Sequence, residues 1–240
     1  MNYRVTLRTI ATLIGGIFRY NLKIIFANAF IYFLLAAIGI FALFVILNLV
    51  SAESNPTEAT IYGWLLLPGF VLIFYPTIFG IQNDVDTGMI ELLFSIPNYR
   101  YKVWLVRLVL IYLLVFVILL CLSLLASVTV ITVPIVRMAV QLMFPIIFVG
   151  SLAFMLSTLV RNGYGTMVVM IIIGMALWIL SESLATSKWN LFLNPFRLPS
   201  NVNEAVWTET TFNNRLYLFI GSGISILMGL LLLQRREKFI

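Results

Sequence analysis

The residues that could do chemistry in this 240-residue chain are few and unevenly spread. It has no histidine, which removes the Ser-His-Asp triad, imidazole zinc sites and most imidazole proton relays. A single cysteine, Cys121, lies in an apolar run, so neither an intrachain disulfide nor a thiolate cluster can form. The glycine-rich phosphate cradle GxxxxGK[ST] is absent, so any ATP hydrolysis that drives this protein is expected on another chain. Glu182 is the only acidic residue expected within a span. It falls at a span end, where an interface role is a better expectation than ion coupling. What remains is the stretch "NDVDTGMIELLFSIPNYRYK", residues 83–102, which holds Asp84, Asp86 and Glu91, three of the nine acidic residues. Its chemistry is recognition through a charged face.

The spacing in that stretch predicts a helix of two to three turns. Asp86 or Thr87 can cap it, and Glu91 near the first turn favours the helix dipole. Met89, Leu92, Leu93 and Ile96 share one face, Thr87, Glu91 and Ser95 the other, and Pro97 ends it. Arg100, Lys102 and Arg107 then mark the return into the membrane. Such a helix could simply anchor the loop at the bilayer surface. Helices on anionic leaflets usually carry Lys and Arg on their polar face, however. The acidic face therefore also fits docking to a protein.

The elements that must hold this stretch are membrane spans. Residues are 62% hydrophobic and only 10% charged, with mean hydropathy +1.08, against roughly half apolar and about a quarter charged in soluble domains. The expected fold is all-α and polytopic, one membrane domain covering 1–240. A span needs about 20 apolar residues, and six are expected, at 24–50, 62–82, 103–130, 138–160, 166–185 and 216–233. Pro68, Pro76 and Pro145 fall inside them, tolerable where neighbouring helices satisfy the freed carbonyls. Residues 1–23 are expected to form an amphipathic interfacial helix rather than a cleaved leader. There Arg8, Thr12, Gly15, Arg19 and Lys23 oppose Ile10, Leu13, Ile14, Ile17 and Phe18. Residues 186–215, rich in Trp, Phe, Pro and Asn, read as short interfacial or re-entrant pieces on the external side. Gly221, Ser225 and Gly229 repeat every fourth residue, a spacing that permits close helix packing.

Charge gives the orientation. With both termini in the cytoplasm, eleven of the fifteen Lys and Arg fall on the cytoplasmic side; Arg137, Lys188, Arg197 and Arg215 fall outside. Trp64, Trp104 and Tyr217 lie near expected span ends, where aromatic rings favour the interface. A net charge of +6 thus reports membrane topology and gives no reason to expect a nucleic-acid partner.

From Asp84 to Arg100 the sequence resembles the loop between spans two and three of type-two ABC (ATP-binding cassette) exporter permeases. That family's pattern is an acidic residue, three residues, Gly-Thr-(Leu/Ile)-Glu, an apolar pair, Ser/Thr, one residue and Pro. It lies here on Asp84, Gly88, Met89, Ile90, Glu91, Leu92, Leu93, Ser95 and Pro97. Asp84 stands where Glu is usual and Met89 where Thr is usual. The layout is similar as well: a basic amphipathic start, six spans, external pieces before the sixth, and the basic tail "QRREKFI". The resemblance implies that this loop is a coupling helix whose docking residues are Asp84, Asp86, Gly88, Glu91, Leu92, Leu93, Pro97 and Arg100. Its partner would be a separate ABC ATPase subunit, two copies per working unit, carrying the ATP and Mg that this chain does not bind. A second permease, identical or paralogous, would complete the unit in the cell membrane. The expected cargo is an amphiphile, a hydrophobic or antimicrobial peptide in the first place, and no catalytic residue is expected in this chain. The alternative is a membrane scaffold or sensor whose acidic loop recruits a cytosolic protein; a passive channel is a weaker third.

Overall fold

A computed structural model of the chain describes residues 30–51, 56–86 and 100–233. Six helices run through them: α1 Phe30–Ser51, α2 Glu58–Asp86, α3 Arg100–Thr129, α4 Ile135–Val160, α5 Gly163–Ser183 and α6 Glu204–Leu233. Each is long and apolar enough to cross a membrane, the architecture of a multi-pass membrane protein. No strand occurs among the described residues. The expected N-terminal helix and loop helix fall outside them.

Five of the six expected spans match these helices closely; the sixth does not. It was expected from 216, yet α6 begins at Glu204. Glu204, Thr208, Glu209, Thr211 and Asn213 made this stretch look like a loop. They sit instead on the first turns of a helix whose inward face continues without a break. Trp207, Asn214, Arg215, Leu218, Ser222, Ser225, Gly229, Leu230 and Leu233 are its buried residues, at spacings that keep them on one side. The segment expected as external pieces is thereby divided. Residues 184–203 are a chain of turns, and 204–215 belong to α6.

Helix α4 is the centre of the bundle, in contact with α2, α3, α5 and α6, while α1 packs on α2. α2 and α4 are mostly buried, and α1 and α5 mostly exposed. In lipid, burying apolar side chains against each other gains little over leaving them among acyl chains, so close packing and polar bonds decide the fit. Two contacts show this. Gly150 of α4 admits Ile73 of α2 so closely that a Cβ there would stand 2.6 Å from its Cγ1. One residue on, the Tyr112 hydroxyl of α3 lies 2.8 Å from Ser151 Oγ. Ser151 gives its own proton to the Ile147 carbonyl, which leaves Tyr112 as donor. In α2, Thr77 Oγ1 donates to the Ile73 carbonyl at 2.7 Å, restoring a donor to the turn where Pro76 removes one.

The helices alternate in direction, which gives the bundle two ends. Ile81 near the end of α2 meets Trp104 and Leu108 at the start of α3, with Phe154, Leu230 and Leu233 from the ends of α4 and α6. This is the end that carries the connection 87–99. The opposite end holds the starts of α2 and α4, residues 184–203 and the first half of α6.

Candidate functional site

At the loop end, α2 runs through Asn83 and Asp84 to Asp86, and α3 begins at Arg100. Asn83 and Asp84, just past the expected span end at 82, are therefore still helix. Gly88, Glu91, Leu92, Leu93 and Pro97 lie outside the described residues. The flanks are firmly built. Gln82 Oε1 at the end of α2 accepts from the Gly163 amide at 2.6 Å, and Ser157 Oγ of α4 donates to the Ile78 carbonyl at 2.8 Å. Arg161 ends α4 in the left-handed region at φ 58°, and Asn162 caps α5 by accepting from the Gly165 amide. Trp104 was expected in an interfacial belt but is buried at 5% exposure, its ring 6.0 Å from that of Phe154. The Arg107 guanidinium lies 4.9 Å from the Trp104 ring centre. The expected packing stripe faces α4. A Cβ on Gly221 would come 2.8 Å from the Phe148 ring, one on Gly229 would come 2.7 Å from the Phe154 ring, and Ser225 between them is buried.

The opposite end holds a cluster that the sequence did not announce. Arg215, counted above only as an external cation, is buried at 5% exposure. Its Nε donates to Gln141 Oε1 of α4 at 2.8 Å and its Nη1 to Asn214 Oδ1 at 2.9 Å. Its Nη2 donates to the Tyr62 hydroxyl of α2 and to the Leu193 carbonyl, both at 3.2 Å. The Phe144 ring centre lies 5.8 Å from the guanidinium carbon. All these partners are neutral, so the buried positive charge is solvated by dipoles and not neutralised.

Residues 184–203 are shaped to deliver those dipoles. Asn190 and Asn194 each turn the chain by accepting from the amide two residues on, at Phe192 and Phe196. Asn194 Nδ2 then pins the segment to the Ala59 carbonyl of α2 at 2.8 Å. Asn214 Nδ2 holds it to α6 through the Lys188 and Asn190 carbonyls, at 2.9 and 2.8 Å. Tyr217 stacks on Trp189 with ring centres 4.5 Å apart, beneath the Lys188 ammonium.

Beside Arg215 opens a cleft of about 450 Å³, walled by Arg137, Gln141, Phe144, Trp207 and Thr211 among others. Trp207 Nε1 and Thr211 Oγ1, one turn apart on α6, are buried in this wall without a hydrogen-bond partner. Phe144 and Phe219 are shared with a second, apolar groove of about 310 Å³, which continues between α3, α4 and α6. A third cleft of about 290 Å³, between α1, α2 and α5, is lined almost wholly by apolar side chains such as Phe44, Phe70 and Trp178. No group of His, Cys, Asp or Glu suited to a metal occurs among the described residues. No known protein family, characterised protein or solved structure matches this chain.

Proposed function

We propose that this chain is the transmembrane subunit of an ATP-driven ABC exporter, carrying an amphiphilic substrate, a hydrophobic or antimicrobial peptide foremost, out of the cytoplasm. The observation that carries this reading is the sequence from Asp84 to Pro97, an acidic, glycine-bearing stretch with an apolar pair and a closing proline between the second and third of six spans. The flanks of the stretch support it. Gln82 and Ile78, within three turns of the loop, are hydrogen-bonded to the α4–α5 corner. A displacement of the loop by an ATPase partner would thus move α2, α4 and α5 together. Packed helices respond to such a push by switching between discrete arrangements rather than by bending continuously.

The working unit would hold two such chains and two ATPases, with both termini cytoplasmic and the loop facing the ATPases. Asp84, Asp86, Glu91 and Arg100 would supply the charged contacts and Leu92 and Leu93 the apolar ones. The test uses the chain co-expressed with an ABC ATPase subunit from the same genome. An Asp84→Ala/Glu91→Ala double variant is expected to lose ATPase co-purification and ATP-dependent uptake of a labelled antimicrobial peptide into inverted vesicles, while reaching the membrane at normal level. Full assembly and uptake in that variant would sink the docking role. Equal uptake with and without ATP would sink the exporter reading.

A further inference from the structure

The cleft beside Arg215 and the groove that continues it combine two chemistries in one path. At one end stand two guanidinium groups, the exposed Arg137 and the buried Arg215, and among the described residues no carboxylate lines the cleft. Arg215 meets four neutral acceptors with five N–H groups, so one donor is left over and the positive charge is solvated but not neutralised. Trp207 and Thr211 add two buried donors without acceptors in the same wall. Buried polar atoms are nearly always partnered, and orphans that cluster in a cavity wall point to an absent ligand. At the other end, past Phe144 and Phe219, the groove is lined by Phe116, Val140, Met143 and Ile147. The cations and the unpartnered donors are at one end and the hydrocarbon surface is at the other, where the only polar side chain, Ser222, spends its hydroxyl on the Leu218 carbonyl.

We propose that this path binds an anionic membrane phospholipid, its phosphate at the Arg137–Arg215 end and an acyl chain along the α3–α4–α6 groove. Arg215 lies level with the second turns of α2 and α4, where Tyr62 and Gln141 meet it. That is the depth at which headgroups stand when these helices span a bilayer. A soluble anion would use the arginines but leave the apolar groove without purpose. A cationic peptide would face two like charges and no acid. The site is independent of the transport reading above, because it lies at the end of the bundle away from the loop and requires no ATP.

The test is lipid retention by the intact chain, measured by native mass spectrometry with dioleoyl phosphatidylglycerol against dioleoyl phosphatidylcholine. Wild type is expected to retain the anionic lipid preferentially. Arg137→Gln, at an exposed position, is expected to lower the anionic-to-zwitterionic ratio about fivefold, the effect of one basic residue at a lipid surface. Val140→Trp, which fills the groove, is expected to lower retention of both lipids. Arg215→Gln should abolish the preference; should that variant not fold, Arg137→Gln and Val140→Trp carry the test. An unchanged ratio in Arg137→Gln, or unchanged retention in Val140→Trp, overturns the proposal. Displacement of the lipid by glycerol phosphate at equal concentration also overturns it, by showing a site for soluble anions.

Discussion

A guanidinium removed from water must have its N–H groups met by acceptors fixed in advance, and at Arg215 those acceptors come from α2, α4, α6 and the 184–203 turns. Removing the charge leaves Gln141, Asn214 and Tyr62 facing an apolar side chain. Arg215→Leu is accordingly expected to cost about 3 kcal/mol or more, read as a lower midpoint in mixed-micelle unfolding. Arg215→Lys keeps the charge but not the planar fork, and is expected to fall between the two. A wild-type midpoint in Arg215→Leu would show that the network contributes nothing. This cluster could not be read from the sequence because its members stand at 62, 141, 193 and 215, far apart along the chain. One sign was there to be used: an arginine directly before an unbroken apolar run. Asn190 and Asn194 were equally visible, but only the fold shows their side chains turning the backbone onto Arg215.

Between elements, the α4–α6 seam is where substitution should be most selective. A larger side chain at Gly229 would meet the Phe154 ring and the Met155 backbone, whereas Gly223 on the same helix has nothing within 4 Å of a Cβ. Gly229→Leu is expected to destabilise by about 1–3 kcal/mol through overpacking, while Gly223→Leu should be tolerated. The same unfolding assay checks both, and equal midpoints would mean that the seam is not tightly packed. The four-residue repeat of small side chains made this face legible in advance, since helical spacing alone decides which residues share a side. The start of α6 was not legible, because threonines, asparagines and glutamates score as loop until the inward-facing Trp207 and Asn214 are seen in register. Trp104 misled for a related reason. A tryptophan at a span end fits the interface as well as it fits a buried ring cluster, and only its neighbours Phe154 and Leu230 decide.

For the whole molecule, six spans follow from hydropathy with little need of tertiary information, whereas the orientation expected from the basic residues is a matter for labelling. Arg161 lies at the loop end and Lys188 at the opposite one. In a Cys121→Ser background, Lys188→Cys is expected to react with a membrane-impermeant maleimide on intact cells. Arg161→Cys should react only after permeabilisation. The reverse pattern would invert the topology and place the acidic loop outside. The polar bonds between helices add something that counting charges does not reveal. Among the described residues, every side-chain hydrogen bond from α6 to another element starts at Asn214 or Arg215. From there to Leu233, over about 27 Å at 1.5 Å per residue, the described helix is held to its neighbours by packing, with the Lys188 ammonium over Tyr217 as the one charged contact. Apolar surfaces slide past one another more readily than directional bonds let go. α6 is thus bolted by directional bonds at one end and held beside the loop by the close fit of Gly229, Leu230 and Leu233 against Phe154.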